Sequence, residues 1–259
     1  MSANRSSAVM QQRRDPPDAL DYFPTPPFAT RALCEFLEVE LGSLADLKAW
    51  EPAAGEMHMA RPLAEFFAEV RASDVFPYLP ELELLDFTVT GSTEPDVDLI
   101  ATNPPFVLAQ EFIETALQKA RLGVAMLVRT SFLEGEERLD EIFERNPPTY
   151  ALQFSERVVM LKGRLVRKGS VDWGASEEAK AKAEAKGKEV KASTATSYCW
   201  LVWLRSDRRD PASAWDCDTR LRWIRKAFDR LERQGDYPAA PIAVLPPPAD
   251  GLFATELAA

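Results

Sequence analysis

Two hydrophobic periods alternate along this chain. From Ala29 to Leu41, ATRALCEFLEVEL puts Ala32, Leu33, Phe36 and Leu37 on one face of a helix. LKAWEPAAG then reads as a short strand closed by a glycine turn, and MARPLAEFF as a helix with Pro62 near its first turn, where proline is tolerated. EVRASDV, ELELLDFTV and VDLIATN are the second, third and fourth strand candidates. EFIETALQKARLG is a helix that Gly123 can stop. GVAMLVRTSFL follows as a fifth strand, ERLDEIFERN as a helix, TYALQFSE as a sixth strand and the apolar, aromatic TSYCWLVWLR as a seventh. The tail CDTRLRWIRKAFDRLERQG spaces Leu221, Ile224, Phe228 and Leu231 at helical intervals, and the chain from Pro238 reads as extended.

Strands alternating with helices at this spacing predict an α/β fold, with a mostly parallel seven-stranded sheet covered by helices on both faces. Residues 1–18 are polar, rich in Pro and Arg and without periodicity, as expected of a flexible N-terminal arm. The remainder, 19–259, reads as a single domain. It carries a low-complexity insert at about 170–196 and a helical then extended tail at about 215–259. Within the insert, SEEAKAKAEAKGKEVKAS favours helix by residue type but lacks an apolar face, so a solvated helix and a disordered loop compete, and disorder is the expectation.

The 259 residues are enough for one large α/β domain and its core. No apolar run reaches the length of a membrane span, and the amino terminus lacks the apolar segment of a signal peptide. Cys34, Cys199 and Cys217 have no metal-ligand spacing and His58 is the only histidine, which argues against a structural zinc site and for a reduced, intracellular protein. A net charge of −10 argues superficially against nucleic acid, but its distribution weakens the objection. Residues 1–150 hold 12 Lys+Arg against 26 Asp+Glu, whereas 151–259 hold 19 against 15. The stretch ERVVMLKGRLVRK supplies Arg157, Lys162, Arg164, Arg167 and Lys168 as candidate phosphate contacts, although any one of them alone reads as solvated surface.

Open α/β sheets bind ligands beyond the carboxyl ends of their strands. Four segments end strands there. Glu51-Pro52-Ala53-Ala54-Gly55 makes a tight turn whose small residues let backbone approach a ligand. Asp74 ends the second strand 19 residues after Gly55, the place and spacing of a ribose-binding acid. Asp86-Phe87 follows the third strand and could bind an adenine amine and cover its ring. Asn103-Pro104-Pro105-Phe106 follows the fourth. Its two prolines end the strand and hold an amide, a carbonyl and an aromatic ring in a rigid exit that can grip a flat ring bearing an amino group. A strand-terminal Asp is by itself more often a cap or turn former. Four such segments in order, one per strand, are much harder to obtain by chance.

In the order DYFPTPP, EPAAG, SDV, DF and NPPF, the chain resembles the class I S-adenosylmethionine-dependent methyltransferases that modify the exocyclic amine of adenine in DNA, in particular the phage-type and solitary enzymes. The resemblance runs from about Asp21 to Arg205, and FSERVVMLKGR and TSYCWLVW share in it. It implies a Rossmann-like sheet with an antiparallel last strand, S-adenosylmethionine as cofactor with S-adenosylhomocysteine as product, and cytoplasmic action in a bacterium or by a phage-encoded protein. It places Phe23, Pro24 and Thr25 near the methionine end of the cofactor, with Glu51, Pro52, Ala53, Gly55 and Asn103 lining it. Asp74 would take its ribose and Asp86 with Phe87 its adenine. Asn103 and the Pro104 carbonyl would accept hydrogen bonds from the target amine, with Pro105 stiffening the turn and Phe106 stacking on a base extruded from duplex DNA. Two acceptors on the amine hydrogens favour a pyramidal nitrogen whose lone pair faces the methyl group, so no general base is needed beforehand.

One position departs from the pattern. Met57 stands where most relatives have a second glycine, so that either the loop differs, or the cofactor is held less tightly, or activity is lost. Two alternatives remain at this point: the same fold acting on RNA or a protein glutamine, or a non-catalytic nucleic-acid-binding protein that retains it.

Overall fold

The computed structural model describes residues 21–89, 97–171 and 175–237. The arm expected over 1–18 and the extended segment from Pro238 lie outside the described residues.

Eight strands form one sheet: β1 (Lys48–Glu51), β2 (Glu69–Asp74), β3 (Glu83–Leu84), β4 (Leu99–Thr102), β5 (Gly123–Arg129), β6 (Tyr150–Phe154), β7 (Tyr198–Leu204) and β8 (Arg220–Ile224). Their order is β3-β2-β1-β4-β5-β7-β6-β8. β7 runs antiparallel to β5 and β6, and every other pairing is parallel. This is the Rossmann-like arrangement expected, with the predicted antiparallel strand inserted beside β5. The carboxyl ends of β1, β2, β4, β5, β6 and β8 therefore share one edge.

The strands are buried on both faces, and their side chains divide by the period of two. Ala49, Leu99, Ala101, Ala125, Leu127, Trp200 and Val202 face one core. Trp50, Ile100, Val124, Met126, Val128, Leu201 and Trp203 face the other. On the first face pack α1 (Pro27–Leu41), α2 (Ala60–Leu63) and α6 (Ala227–Leu231) through Phe28, Leu33, Leu37, Leu63 and Ala227. On the second packs α3 (Ala109–Lys119) through Phe112, Ile113 and Ala116. Each buried indole finds an acceptor, as buried donors must. Trp50 donates to Ser73 Oγ (2.9 Å), Trp200 to the Ala29 carbonyl (3.1 Å) and Trp203 to that of Asn146 (2.8 Å).

Several elements differ from expectation: of ELELLDFTV only Glu83–Leu84 is a strand, and of MARPLAEFF only Ala60–Leu63 is α-helical. The tail is not one helix: Arg220–Ile224 is a strand in register with β6, from Tyr150↔Arg220 to Phe154↔Ile224, and only Ala227–Leu231 is helical. RLRWI alternates as well as it spirals, and pairing satisfies the open edge of β6, whose backbone groups a helix could not reach. The fifth strand stops at Arg129, and Thr130–Leu133 coils into a 3-10 turn. Beyond it, α4 (Glu136–Arg138) runs on into a π-helical turn over Leu139–Phe143. The insert, expected to be disordered, contains α5 (Glu177–Glu184), which is the solvated-helix alternative.

Candidate active site

The turn after β1 is built around Asp74. One carboxylate oxygen accepts the Gly55 N–H (2.9 Å) and the other that of Phe76 (2.9 Å), while the Ala54 amide bonds the Ser73 carbonyl (3.0 Å). This acid at the end of β2 thereby holds the turn after β1 in shape. Gly55 has φ 52°, in the region that favours glycine, and Met57 shares that conformation at φ 64°. A Cβ on Gly55 would lie 2.4 Å from Tyr22 Cε2, so the position needs glycine for contact as well as for backbone.

Tyr22 belongs to a strap, residues 21–25, that crosses the carboxyl edge. The Asn103 amide donates to the Phe23 carbonyl (2.8 Å), and the Phe106 N–H to Asp21 Oδ2 (2.6 Å). The Gly163 N–H meets the Tyr22 carbonyl (2.8 Å), and the Tyr22 hydroxyl donates to Glu56 (3.2 Å) while its ring packs on Tyr78 at 4.6 Å. DYFPTPP and NPPF, some 80 residues apart, are thus one hydrogen-bonded unit.

Between strap and turn lies a cleft lined by Tyr22, Pro24, Thr25, Glu51, Ala53, Ala54, His58, Met59 and Asn103. Two buried acceptors there have no donor, Glu51 Oε2 and Asn103 Oδ1. An unpaired buried polar atom costs about 1–3 kcal/mol, so a cleft with two of them fits a ligand rich in N–H donors. Burial first, and then the nearby Asp74, push the Glu51 carboxyl well above its usual range against the opposing Ala60 amide. Burial likewise raises Asp74, which the amides of Phe76, Gly55 and Val75 oppose. Burial lowers the His58 imidazole, although its bond to Glu56 (3.1 Å) pulls the other way. The free space in the cleft is about 20 Å³, room for about one water, so its lining has to part for a larger ligand.

A second cavity, of about 160 Å³, is lined by Phe106, Ala109, Val128, Arg129, Ser131, Phe132 and Arg138. The Arg129 guanidinium lies 4.1 Å from the centre of the Phe106 ring, and the Phe23 and Tyr198 rings stand 5.2 and 6.1 Å from it. Pro105 (φ −51°, ψ 126°) leads into the 3-10 turn Phe106–Leu108 that sets this ring.

Pro24, Thr25, Glu51, Ala53 and Asn103 line the cleft, with Gly55 and Asp74 bonded just behind it. Phe23 sits against Phe106, and Pro52 is buried beneath the turn. Asp86 and Phe87 are placed apart from the cleft lining. The Asp86 carboxylate accepts the Thr88 N–H and hydroxyl, and Phe87 is 2% exposed between Trp50 and Phe112. Among the basic candidates, Arg167 is bidentate on Glu232, Lys168 pairs with Glu156 (2.6 Å) and Arg157 bonds Ser197. Lys162 and Arg164 also have partners. Sequence reasoning did not assign Tyr22, Arg129, Phe132 and Arg138 to the site. Tyr22 was inside DYFPTPP, and a strand-terminal arginine followed by Thr-Ser-Phe was the signal available for the others.

No family model matches the chain, and neither does any curated protein. Among solved structures it is similar to a type I restriction-modification methyltransferase subunit from Streptococcus thermophilus, with 8% identity and a TM-score of 0.50, over 83% of this chain and 49% of that one. It thus spans about half the length of that subunit. A candidate class I S-adenosylmethionine-dependent methyltransferase from Listeria monocytogenes gives 13% identity and a TM-score of 0.49, over 79% of this chain and 67% of that one. A candidate RNA methyltransferase from Pyrococcus horikoshii gives 15% and 0.44, over 75% and 94%. The chain has the Rossmann-like fold of the class I methyltransferases. At these identities the likeness concerns fold alone.

Proposed function

We propose that the chain is an S-adenosylmethionine-dependent methyltransferase acting on the exocyclic amine of adenine in DNA. The observation that carries this reading is the buried, unpartnered Asn103 Oδ1 on the lining of the Glu51 cleft, three residues before the Phe106 that lines the second cavity. An acceptor held there, with its own N–H engaged by the Phe23 carbonyl, is free to take a hydrogen from a ligand.

Glu51, Ala53, Gly55 and Asp74 would hold the cofactor from the turn side, and Pro24 and Thr25 from the strap. Two unpaired acceptors suit its ammonium and hydroxyl donors. When bound, the cofactor supplies a methyl group made electrophilic by its sulfonium. The chain's own contribution is positional. Asn103 Oδ1 and the Pro104 carbonyl take the two hydrogens of the amine, which localises its lone pair towards the cleft. Phe106 offers a ring face to the base once Arg129 swings aside, and stacking of this kind is worth about 1–3 kcal/mol. The base must leave the duplex to reach them.

Sequencing genomic DNA for modified adenines, from cells expressing the wild type or Asn103→Ala, tests the proposal. Site-specific modification with the wild type and none with Asn103→Ala is the expected result. Unmodified DNA from cells holding folded wild-type protein contradicts it.

A further inference from the structure

The edge strand β8 carries RLRWIRK, with four basic residues and no acid between Arg220 and Lys226. Arg220 is bound by Asp216 and Asp218, and the Arg222 guanidinium stands 5.8 Å from the centre of the Tyr150 ring, but Arg225 and Lys226 are exposed and make no ion pair with any described residue. The nearest acid along the chain on the carboxyl side, Asp229, is exposed and pairs with neither Arg225 nor Lys226. These charges differ from Arg167, Lys168 and Arg230, which are committed to Glu232, Glu156 and Glu35.

Beside them, Trp223 is 63% exposed and Leu221 49%. The register pairs Leu221 with Ala151 and Trp223 with Gln153, so both lie on the sheet face that α3 covers further inward. Lys226 holds φ 42° and ψ 45°, a conformation glycine or asparagine takes at lower cost, so a cation is kept at a strained position. The carboxyl end of β8 is tied to β6 by the Ser155 N–H on the Ile224 carbonyl (2.9 Å) and lies on the edge that holds Asn103. Four strand positions separate β4 from β8. At ~4.8 Å each, that is about 19 Å, within the footprint of one nucleic-acid strand or duplex.

From this we infer that the carboxyl end of β8 is a nucleic-acid contact surface, on which Arg225 and Lys226 meet phosphates and Trp223 stacks on or packs against an accessible base. It rests on the proposed action on DNA and names where the strand leaves the acceptor site. Uncommitted cations beside an exposed indole complement a polyanion with aromatic bases.

Fluorescence anisotropy with a labelled random-sequence duplex and its single strand, over a range of salt, tests the surface. The variants are Arg225→Gln combined with Lys226→Gly, and Trp223→Ala, with S-adenosylmethionine binding followed by calorimetry. Lys226→Gly suits the left-handed backbone, so it removes charge without strain. The double variant is expected to lower the slope of log affinity against log salt by about two. Trp223→Ala is expected to weaken single-strand binding roughly tenfold with the slope intact. Cofactor binding should be unchanged in both. Wild-type affinity and slope in both folded variants would overturn the surface while leaving the proposed function standing. A wild type that binds the cofactor but neither DNA form removes the DNA reading, and the surface with it. A self-association lost in Trp223→Ala without change in DNA binding would assign the surface to a second copy instead.

Discussion

Met57 keeps the backbone of a glycine at a position where it has a side chain. Its φ of 64° costs a branch-free L-residue about 1–2 kcal/mol, partly offset by the smaller entropy it loses on folding. The side chain is half-buried and is absent from the cleft lining, so it does not narrow the cleft as it stands. Met57→Gly should therefore raise stability by up to about 1 kcal/mol in urea denaturation with cofactor affinity nearly unchanged. Lower stability in that variant would contradict the strain. Glu51 leads to a pH prediction. Its carboxyl, held well above the usual range by burial and then by Asp74, keeps a proton in the folded chain that the unfolded chain has released. Stability from this group is thus fully present below the usual carboxyl range and falls as pH rises through the raised value. A cationic ligand reverses the preference and expels the proton, so affinity should rise with pH through the same window. Calorimetry of S-adenosylmethionine binding in buffers of different ionisation enthalpy should show proton release that Glu51→Gln abolishes. Heats independent of buffer in the wild type would contradict it.

Among the elements, α1 illustrates what hydrophobic periodicity can and cannot reveal. Its buried face was legible in Ala32, Leu33, Phe36 and Leu37, and its start in the prolines before it. Arg31, on that same buried side at 4% exposure, was not legible, because its partners lie far along the chain. It is bidentate on Glu65 and on Asp236, all at 2.7–2.8 Å, and donates to the Leu231 carbonyl, joining α1 to the segments after α2 and α6. Burial opposes ionisation of Asp236, and Arg31 with the Arg233 amide overcomes it, so its pKa sits below the usual range. That stabilisation is present above the unfolded carboxyl pKa and is lost as pH falls through the folded value. Arg31→Ala strands the buried Asp236 charge and should cost about 3–5 kcal/mol in urea denaturation at neutral pH. A loss under about 1 kcal/mol would show the network to be idle. β8 was missed for a related reason: RLRWI fits both periods, and only the unpaired edge of β6 decides between them.

For the whole molecule, the sheet and its carboxyl edge were readable because strand ends carry the chemistry in an open α/β fold. EPAAG, Asp74 and NPPF do meet there. The strap's role as the partner of NPPF follows from hydrogen bonds across some 80 residues that no local pattern encodes. Ion pairs engage Arg167 and Lys168 of the expected basic stretch, whereas Arg225 and Lys226, just past the edge strand, make none with any described residue, a difference that charge counts along the chain do not encode. The central claim is that Asn103 presents an adenine amine to a methyl donor. It is tested most directly by incubating the purified protein with methyl-labelled S-adenosylmethionine and unmethylated DNA, then digesting the DNA to nucleosides and identifying the labelled one. Label in N6-methyl-2′-deoxyadenosine with the wild type, and none with an Asn103→Ala variant that still binds the cofactor, is the predicted result. Label in another nucleoside, or equal label from Asn103→Ala, would contradict it.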